Sequence, residues 1–308
     1  MSSNFGDFVG GVTIRGMPIL SAYPGKVFWV DSNGGANPKG TFDRPLATVA
    51  AAVTLCRASK GDIIACKAGH AETISAAAGI ALSKAGVAVI GLGTARNRPI
   101  FTLGTDAAAT MTVTGANCAL KNVVFLANLL EIVAALDVTA VGFSCEDVDF
   151  RETSSILTFK SAITCSGADN TADGLYVARS RHRSLAAGTL GFILTTGDVN
   201  EAEIIYNTQI SEGTAARLIT CATGKDLKMV TVLRNRVSHK ATSGNLLITN
   251  DTASPNNSGI IVENWVGHAD VTDTHTLGAV GGCRFFDNKS VSTDALSGFV
   301  LPAIDVDS

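Results

Sequence analysis

Four carboxylates lie close together in the chain and could take part in glycoside hydrolysis. They are Glu146, Asp147, Asp149 and Glu152. Hydrolysis needs two carboxyl groups about 5–9.5 Å apart across a bound sugar, and Asp147 and Asp149 would share a face if both lay on one strand. Nothing nearby supplies a platform for a sugar ring. We therefore favour a solvated strand face beside a bend over a catalytic pair.

A compact basic group follows about thirty residues later. It consists of Arg179, Arg181, His182 and Arg183. A polysaccharide lyase needs a base that abstracts a proton and a cation, or Ca²⁺, that holds the carboxylate of its substrate. The group could instead meet an acidic patch of another subunit or a glycan. We favour a solvated loop, and predict no catalytic residue.

Histidines and tryptophans offer weaker candidates. His70 and Glu72 are spaced unlike any metal site and are expected to form hydrogen bonds at a turn. His268 and His275 lack a third ligand, so we predict no metal. No glycine-rich phosphate loop or nucleophile elbow occurs, and no cofactor is expected. Trp265 follows a bend, and we expect it to be a packed corner residue.

A four-residue phrase recurs seven times between Ala119 and Asn288. It has two mostly apolar residues, one polar or variable residue, and a small turn-forming residue. Repeats of about 20–50 residues indicate a stacked architecture. The copies are Ala119–Asn122, Ser144–Asp147, Val177–Ser180, Ile204–Asn207, Val232–Asn235, Ile261–Asn264 and Phe285–Asn288.

The repeat predicts an all-β chain wound into a parallel β-helix. Asn and Asp tolerate left-handed backbone conformations and suit a bend between two strands. Their side chains would stack as a ladder along the axis. The residue before each bend, such as Tyr206 or Glu263, would point outward. The alternative is a set of ordinary strands that happen to end in Asn.

Composition excludes several classes of protein. The chain has 308 residues, of which 46% are hydrophobic, yet no run approaches the roughly 18 apolar residues of a membrane helix. Net charge is −3 and no Lys/Arg-rich stripe occurs, so we expect neither a membrane nor a nucleic acid as partner. The apolar content favours a homo-oligomer.

Cysteine spacing and the N-terminal residues indicate the compartment of synthesis. The seven cysteines include no CxxC pair and are odd in number, which is typical of small buried hydrophobes in a reducing cytosol. No basic segment followed by an apolar core begins the sequence, so we expect no signal peptide.

The N-terminal third is expected to hold an arm and a helix that covers the end of the stack. Residues 1–25 form the arm, and Phe5, Phe8, Val12 and Ile14 are the expected partner contacts. A helix is expected to open near Asp43, with Pro45 in its first turn. Four of its residues share a face at helical spacing. They are Leu46, Val49, Val53 and Cys56.

The segment from Lys26 to Gly93 carries a resemblance to a known group of proteins. A strand ending in Val30-Asp31-Ser32 precedes a glycine-rich loop and the run Arg44-Pro45-Leu46-Ala47-Thr48. Gly61-Asp62-Ile63-Ile64, Gly69-His70-Ala71-Glu72-Thr73 and Val89-Ile90-Gly91-Leu92-Gly93 follow. This order resembles the N-terminal part of right-handed parallel β-helix proteins of tailed bacteriophages, which commonly have a proline where Lys67-Ala68 stands here. Close resemblance covers about a quarter of the chain.

The resemblance implies that the β-helix is right-handed and single-stranded, and that the chain is a structural protein of the virion, assembled as a homotrimer. We predict a capsid decoration (cement) protein that contacts the major capsid protein, without enzymatic activity. The alternative is a tail-spike or fibre module that binds or cleaves host polysaccharide; a lyase or glycoside hydrolase is a further alternative. The expected segments are an arm (1–25), a strand with a capping helix (26–60), the β-helix (61–291) and a C-terminal cap or tail (292–308).

Overall fold

The computed structural model describes most of the chain. It covers residues 13–14, 17–18, 25–35, 37–186, 188–213, 217–240, 247–249, 256–268, 282–292 and 297–299. Of the predicted partner contacts, Phe5, Phe8 and Val12 lie outside the described residues, as does the side chain of Ile14.

Short strands make up nearly all of the regular secondary structure in the described residues. The first elements are β1 (Thr13–Ile14), β2 (Met17–Pro18), β3 (Val27–Val30), α1 (Val49–Leu55), β4 (Ile63–Cys66), β5 (Ala71–Ile74), β6 (Ile80–Leu82), β7 (Ala88–Gly91), a 3₁₀ turn (Ala95–Asn97), β8 (Ile100–Leu103) and β9 (Met111–Val113). Next come β10 (Ala119–Lys121), β11 (Val124–Ala127), β12 (Ile132–Val138), β13 (Ser144–Glu146), β14 (Asp149–Glu152), β15 (Phe159–Cys165), β16 (Tyr176–Ala178), β17 (Arg181–Ser184), β18 (Gly191–Thr195), β19 (Val199–Asn200) and β20 (Glu203–Ile205). The last are β21 (Thr208–Ser211), β22 (Arg217–Cys221), β23 (Leu227–Lys228), β24 (Val230–Leu233), β25 (Arg236–Ser238), β26 (Ile248–Thr249), β27 (Gly259–Val262), β28 (Trp265–His268), β29 (Cys283–Phe286), β30 (Lys289–Ser292) and β31 (Ser297–Phe299).

The strands stack into three long sheets. The first sheet runs β3-β4-β7-β10-β13-β16-β20-β24-β27-β29, the second β5-β8-β11-β14-β17-β21-β25-β28-β30-β31, and the third β6-β9-β12-β15-β18-β22-β26. Within them every pairing is parallel except that of β30 with β31. The chain therefore visits the three sheets in turn, and seven of its coils have a strand in each. The fold is a parallel β-helix, as the repeat predicted.

Alternation of side chains fills the interior with in-register apolar columns, because successive residues of a strand point to opposite faces. The second sheet stacks Phe101, Phe125 and Phe150, with ring centroids 5.6 and 5.4 Å apart. In the next coil His182 takes the equivalent position, followed by Gln209. Both of these polar side chains are buried.

Helix α1 covers the first coil, but it begins later than expected. It packs on β3, β4 and β6. Its N-cap is Thr48, whose Oγ1 accepts a hydrogen bond from Ala51 N at 3.2 Å. Pro45 and Leu46 are not helical, since Leu46 pairs with β3 and donates its N–H to Trp29 O at 2.8 Å. The predicted start near Asp43 was therefore wrong.

An asparagine ladder runs under the corner between the first and second sheets. The Oδ1 of Asn235 accepts from the N and Nδ2 of Asn207, at 2.9 and 3.1 Å. The Oδ1 of Asn264 accepts from the same two atoms of Asn235, and that of Asn288 from those of Asn264. All four asparagines are buried. The ladder was predicted, and the structure confirms it.

In the later copies the residue with left-handed backbone conformation is the third member of the phrase, whereas the prediction was the fourth, Asn or Asp. Tyr206, Arg234, Glu263 and Asp287 have φ of 57, 53, 54 and 49°, and each directly precedes a buried asparagine. In the first two copies the left-handed residue is the fourth member, Asn122 or Asp147. These two copies are thus offset by one residue from the other five.

Candidate functional site

A groove runs along the corner between the first and second sheets in the last coils. Its volume is about 1190 Å³. One side is the column of outward-pointing corner residues. The other side is formed by the first residues of four successive strands of the second sheet, which are paired in register. These are Thr208, Arg236, Trp265 and Lys289.

The corner column is fixed by the backbone. Tyr206 N donates to Leu233 O, Arg234 N to Val262 O and Glu263 N to Phe286 O, at 3.0–3.1 Å. The backbone N–H of each of these corner residues is therefore hydrogen-bonded to the next coil along the chain. Because the following asparagine points inward, the corner side chain must point into solvent.

Two charged side chains of the corner column, Arg234 and Glu263, form an ion pair. Arg234 Nε donates to Glu263 Oε2, and Arg234 Nη1 donates to Tyr206 Oη at 2.9 Å. The Arg234 guanidinium also lies 5.8 Å from the centre of the Tyr206 ring. The hydrogen bond to Glu263 raises the pKa of Arg234, and the same bond lowers the pKa of Glu263. These contacts link three residues of the column and leave the Tyr206 ring 45% exposed.

Two aromatic rings are open to solvent in the groove. Tyr206 and Trp265 are each 45% exposed. The prediction that Trp265 is a packed corner residue was wrong, because the inward positions around it belong to Asn264 and Val266. Alternation along β28 could have identified its outward direction. Exposed aromatic rings offer flat apolar surface with a polar tip, which suits a sugar ring.

Three of the four carboxylates singled out in the sequence lie in ion pairs. Glu146 and Asp147 both bind Arg179, the latter with Oδ1 3.1 Å from Nε. Asp149 Oδ2 lies 2.5 Å from Arg151 Nη2. Asp147 occupies a left-handed corner, so it does not share a strand face with Asp149.

Glu152 has an architectural role. It is buried, and its Oε1 accepts from Phe159 N at 2.8 Å. Its Oε2 accepts from Leu185 N at 2.6 Å and from Ser184 Oγ at 3.2 Å. Burial raises the pKa of this carboxyl group. Glu152 therefore links the start of β15 to the segment that follows β17. No two of the four carboxylates face each other across the groove.

The basic group is split between surface and core. Arg181 and Arg183 point outward from β17, whereas His182 points into the core. The expected solvated loop was wrong, because these residues lie on a strand. His182 stacks on Phe192 with ring centroids 5.6 Å apart, and burial lowers its pKa to about 3.

His70 and Glu72 close the start of the stack, in line with the expected hydrogen-bonding role. His70 Nε2 lies 3.2 Å from Glu72 Oε2, which also accepts from Val49 N at 2.9 Å. The carboxylate thereby caps α1.

The remaining sequence candidates do not form a reactive cluster. His268 is buried on β28, and His275 lies outside the described residues. In the described part of the chain, no three His, Cys, Asp or Glu side chains are placed so as to hold a metal ion. Within the same residues, no helix combines the length and apolarity that crossing a membrane would take. Six cysteines are buried, and Cys283 is partly so.

Comparison with known proteins gives one solved structure. It is named rhamnogalacturonan lyase, with a TM-score of 0.37 and 14% sequence identity, and the alignment covers 90% of each chain. No protein-family model matches the chain, and no curated protein sequence matches it.

The comparison corrects one prediction. We predicted that the chain is not an enzyme, and that exclusion was wrong, because the matched β-helix is by its name a lyase. At this low similarity the match transfers no activity, substrate or catalytic residue. The parallel β-helix itself rests on the strand pairing described above.

Proposed function

We propose that the chain is a bacteriophage virion protein that decorates the capsid shell as a homotrimer. The proposal is supported first by the resemblance of residues 26–93. Two motif residues from this segment, His70 and Glu72, close the N-terminal end of the stack beneath α1.

An apolar face on the third sheet is the observation that supports the proposed homotrimer. Val133 points outward from β12, and Leu190 points outward just before β18. Lys160 of the intervening strand β15 is aligned with both of them. Leu130 and Ile156 precede the strands of two of these coils. The exposed fractions are 57% for Leu130, 52% for Val133, 66% for Ile156 and 39% for Leu190.

A second copy of the chain is the occupant that we infer for this face. Lys160 Nζ and Glu131 Oε2 form an ion pair within this face at 3.6 Å, so these two charges offset each other. Copies facing one another would not repel, and burial of four large apolar side chains would stabilise the contact. Attachment to the major capsid protein through Phe5, Phe8, Val12 and Ile14 stays a prediction.

A charge placed in the apolar face is expected to break the assembly. We expect the wild type to sediment as a trimer at micromolar concentration and Val133→Asp with Ile156→Asp to sediment as a monomer. Ile260→Asp is the matched control, since Ile260 is 46% exposed on the first sheet. A monomeric wild type, or equal behaviour of control and test variants, contradicts the proposed interface.

Imaging of intact particles tests the location on the virion. Density over the three-fold positions of the capsid is expected. Density confined to the tail would contradict decoration.

The groove favours a second candidate, a tail-spike or fibre module that binds host glycan. Its exposed Tyr206 and Trp265 distinguish this corner from the acidic and basic clusters described above. Glycan binding and attachment to a shell use different surfaces, so each can be tested without the other.

A further inference from the structure

Two columns of side chains line the groove, and each coil contributes one side chain to each column. Neighbouring parallel strands lie about 4.8 Å apart, so each column presents one side chain at that spacing. The second-sheet column continues beyond the groove to Arg181, which pairs with Thr208. In coil order it contains Arg181, Thr208, Arg236, Trp265 and Lys289.

Cations occupy every second position of this column. None of Arg181, Arg236 and Lys289 forms an ion pair with a described residue, in contrast to Arg234 in the corner column. All three are exposed. The facing corner column also carries two carboxylates, Glu263, which pairs with Arg234 and lies in the field of Lys289, and Asp287. The three cations exceed these carboxylates in number and can bind a ligand, and charge-assisted hydrogen bonds to carboxylate or sulfate oxygens are the strongest polar contacts they can form.

The spacing of these cations matches a particular polymer. Arg236 and Lys289 are two coils apart, about 9–10 Å. That distance is close to the length of a disaccharide in an extended sugar chain. Trp265 lies between them and exposes 45% of its surface. A chain parallel to the axis would place one sugar against Trp265 and the sugars before and after it beside Arg236 and Lys289.

We propose that the groove binds an anionic polysaccharide with one acidic group on every second sugar. Arg236 and Lys289 bind acidic groups of alternate sugars, Trp265 stacks on the neutral sugar between them, and Arg181 extends the site by one disaccharide. This inference rests on the second candidate function, glycan binding, and is independent of the capsid assembly.

Binding of three defined oligosaccharides of equal length tests the proposal. Hyaluronan carries a carboxylate on every second sugar, polygalacturonate on every sugar, and dextran on none. Isothermal titration calorimetry with the full-length protein is expected to show tightest binding of hyaluronan, weakened at least about tenfold between 0.05 and 0.5 M salt.

Matched variants assign the residues. Arg236→Gln and Lys289→Gln are each expected to weaken hyaluronan binding about tenfold, and Trp265→Ala to abolish it. Arg284→Gln is the control, because Arg284 is exposed in the same coil as Lys289 but on the first sheet. It is expected to leave binding unchanged.

Each other outcome overturns a stated part. Tighter binding of polygalacturonate than of hyaluronan overturns the two-coil spacing. Equal binding of dextran overturns the requirement for charge and leaves glycan binding in place. Binding of none of the three polymers by a trimeric protein overturns the proposed site for an anionic polysaccharide and leaves the capsid proposal standing.

Discussion

Asn235→Ala is expected to lower the free energy of unfolding by about 3–5 kcal/mol. The Asn235 side chain accepts from Asn207 N and donates to Ile204 O at 2.7 Å and to Asn264 Oδ1 at 3.0 Å. Removing it leaves the buried Asn207 N–H without that partner, which costs about 1–3 kcal/mol, and removes further hydrogen bonds worth about 1 kcal/mol each. Urea unfolding followed by circular dichroism measures the loss.

Asn128→Ala is the matched control for the ladder. Asn128 is exposed after β11, and its substitution is expected to change stability by less than about 0.5 kcal/mol. A loss in Asn235→Ala no greater than in this control would show that the ladder does not stabilise the stack.

His182→Phe is expected to remove much of the acid sensitivity of the fold. The His182 ring nitrogens and the Gln209 amide have no hydrogen-bond partner among the described residues, and aromatic rings of Phe150 and Phe192 lie nearby. Burial lowers the pKa of His182 to about 3, whereas an unfolded histidine titrates near 6.5. Below pH 6.5 the unfolded state therefore binds a proton that the folded state does not.

The sign and size of the effect follow from that difference. Stability contributed by neutral His182 is complete above pH 6.5 and is lost progressively as pH falls toward 3. Between pH 7 and pH 5 the loss is about 2 kcal/mol. The same two measurements on His182→Phe are expected to differ by about 2 kcal/mol less than those on the wild type. His182→Gln serves as a polar, non-titrating control with the same expected slope. Equal slopes in all three proteins would contradict a neutral buried histidine.

The repeat in the sequence was sufficient to predict the stack and its ladder. Its in-register pairing follows from copies such as Ile204–Asn207 and Val232–Asn235. The offset of the first two copies was not predictable from residue type, because Asn suits both a left-handed corner and a buried ladder position. Asn122 takes the first role and Asn207 the second.

Tertiary contacts decided two other features. Helix α1 begins at Val49, with Thr48 as its N-cap, because Leu46 is held in pairing with β3 and this pairing overrides a favourable cap at Asp43. The groove combines side chains from four coils, and no single segment of sequence contains it. Its cationic column becomes visible only once β17, β25 and β30 are aligned in register.

A pair of engineered cysteines tests the stacking of the coils most directly. Glu203 and Thr231 face each other on neighbouring strands of the first sheet, so their Cα atoms are about 4.8 Å apart, within the range that a disulfide spans. Glu203→Cys with Thr231→Cys is expected to form a disulfide under mild oxidation, seen by mass spectrometry of proteolytic fragments. Glu203→Cys with Leu233→Cys, about 8 Å apart on the diagonal, is expected to stay reduced. Cross-linking of the diagonal pair in preference to the facing pair would contradict the register on which the ladder and the groove depend.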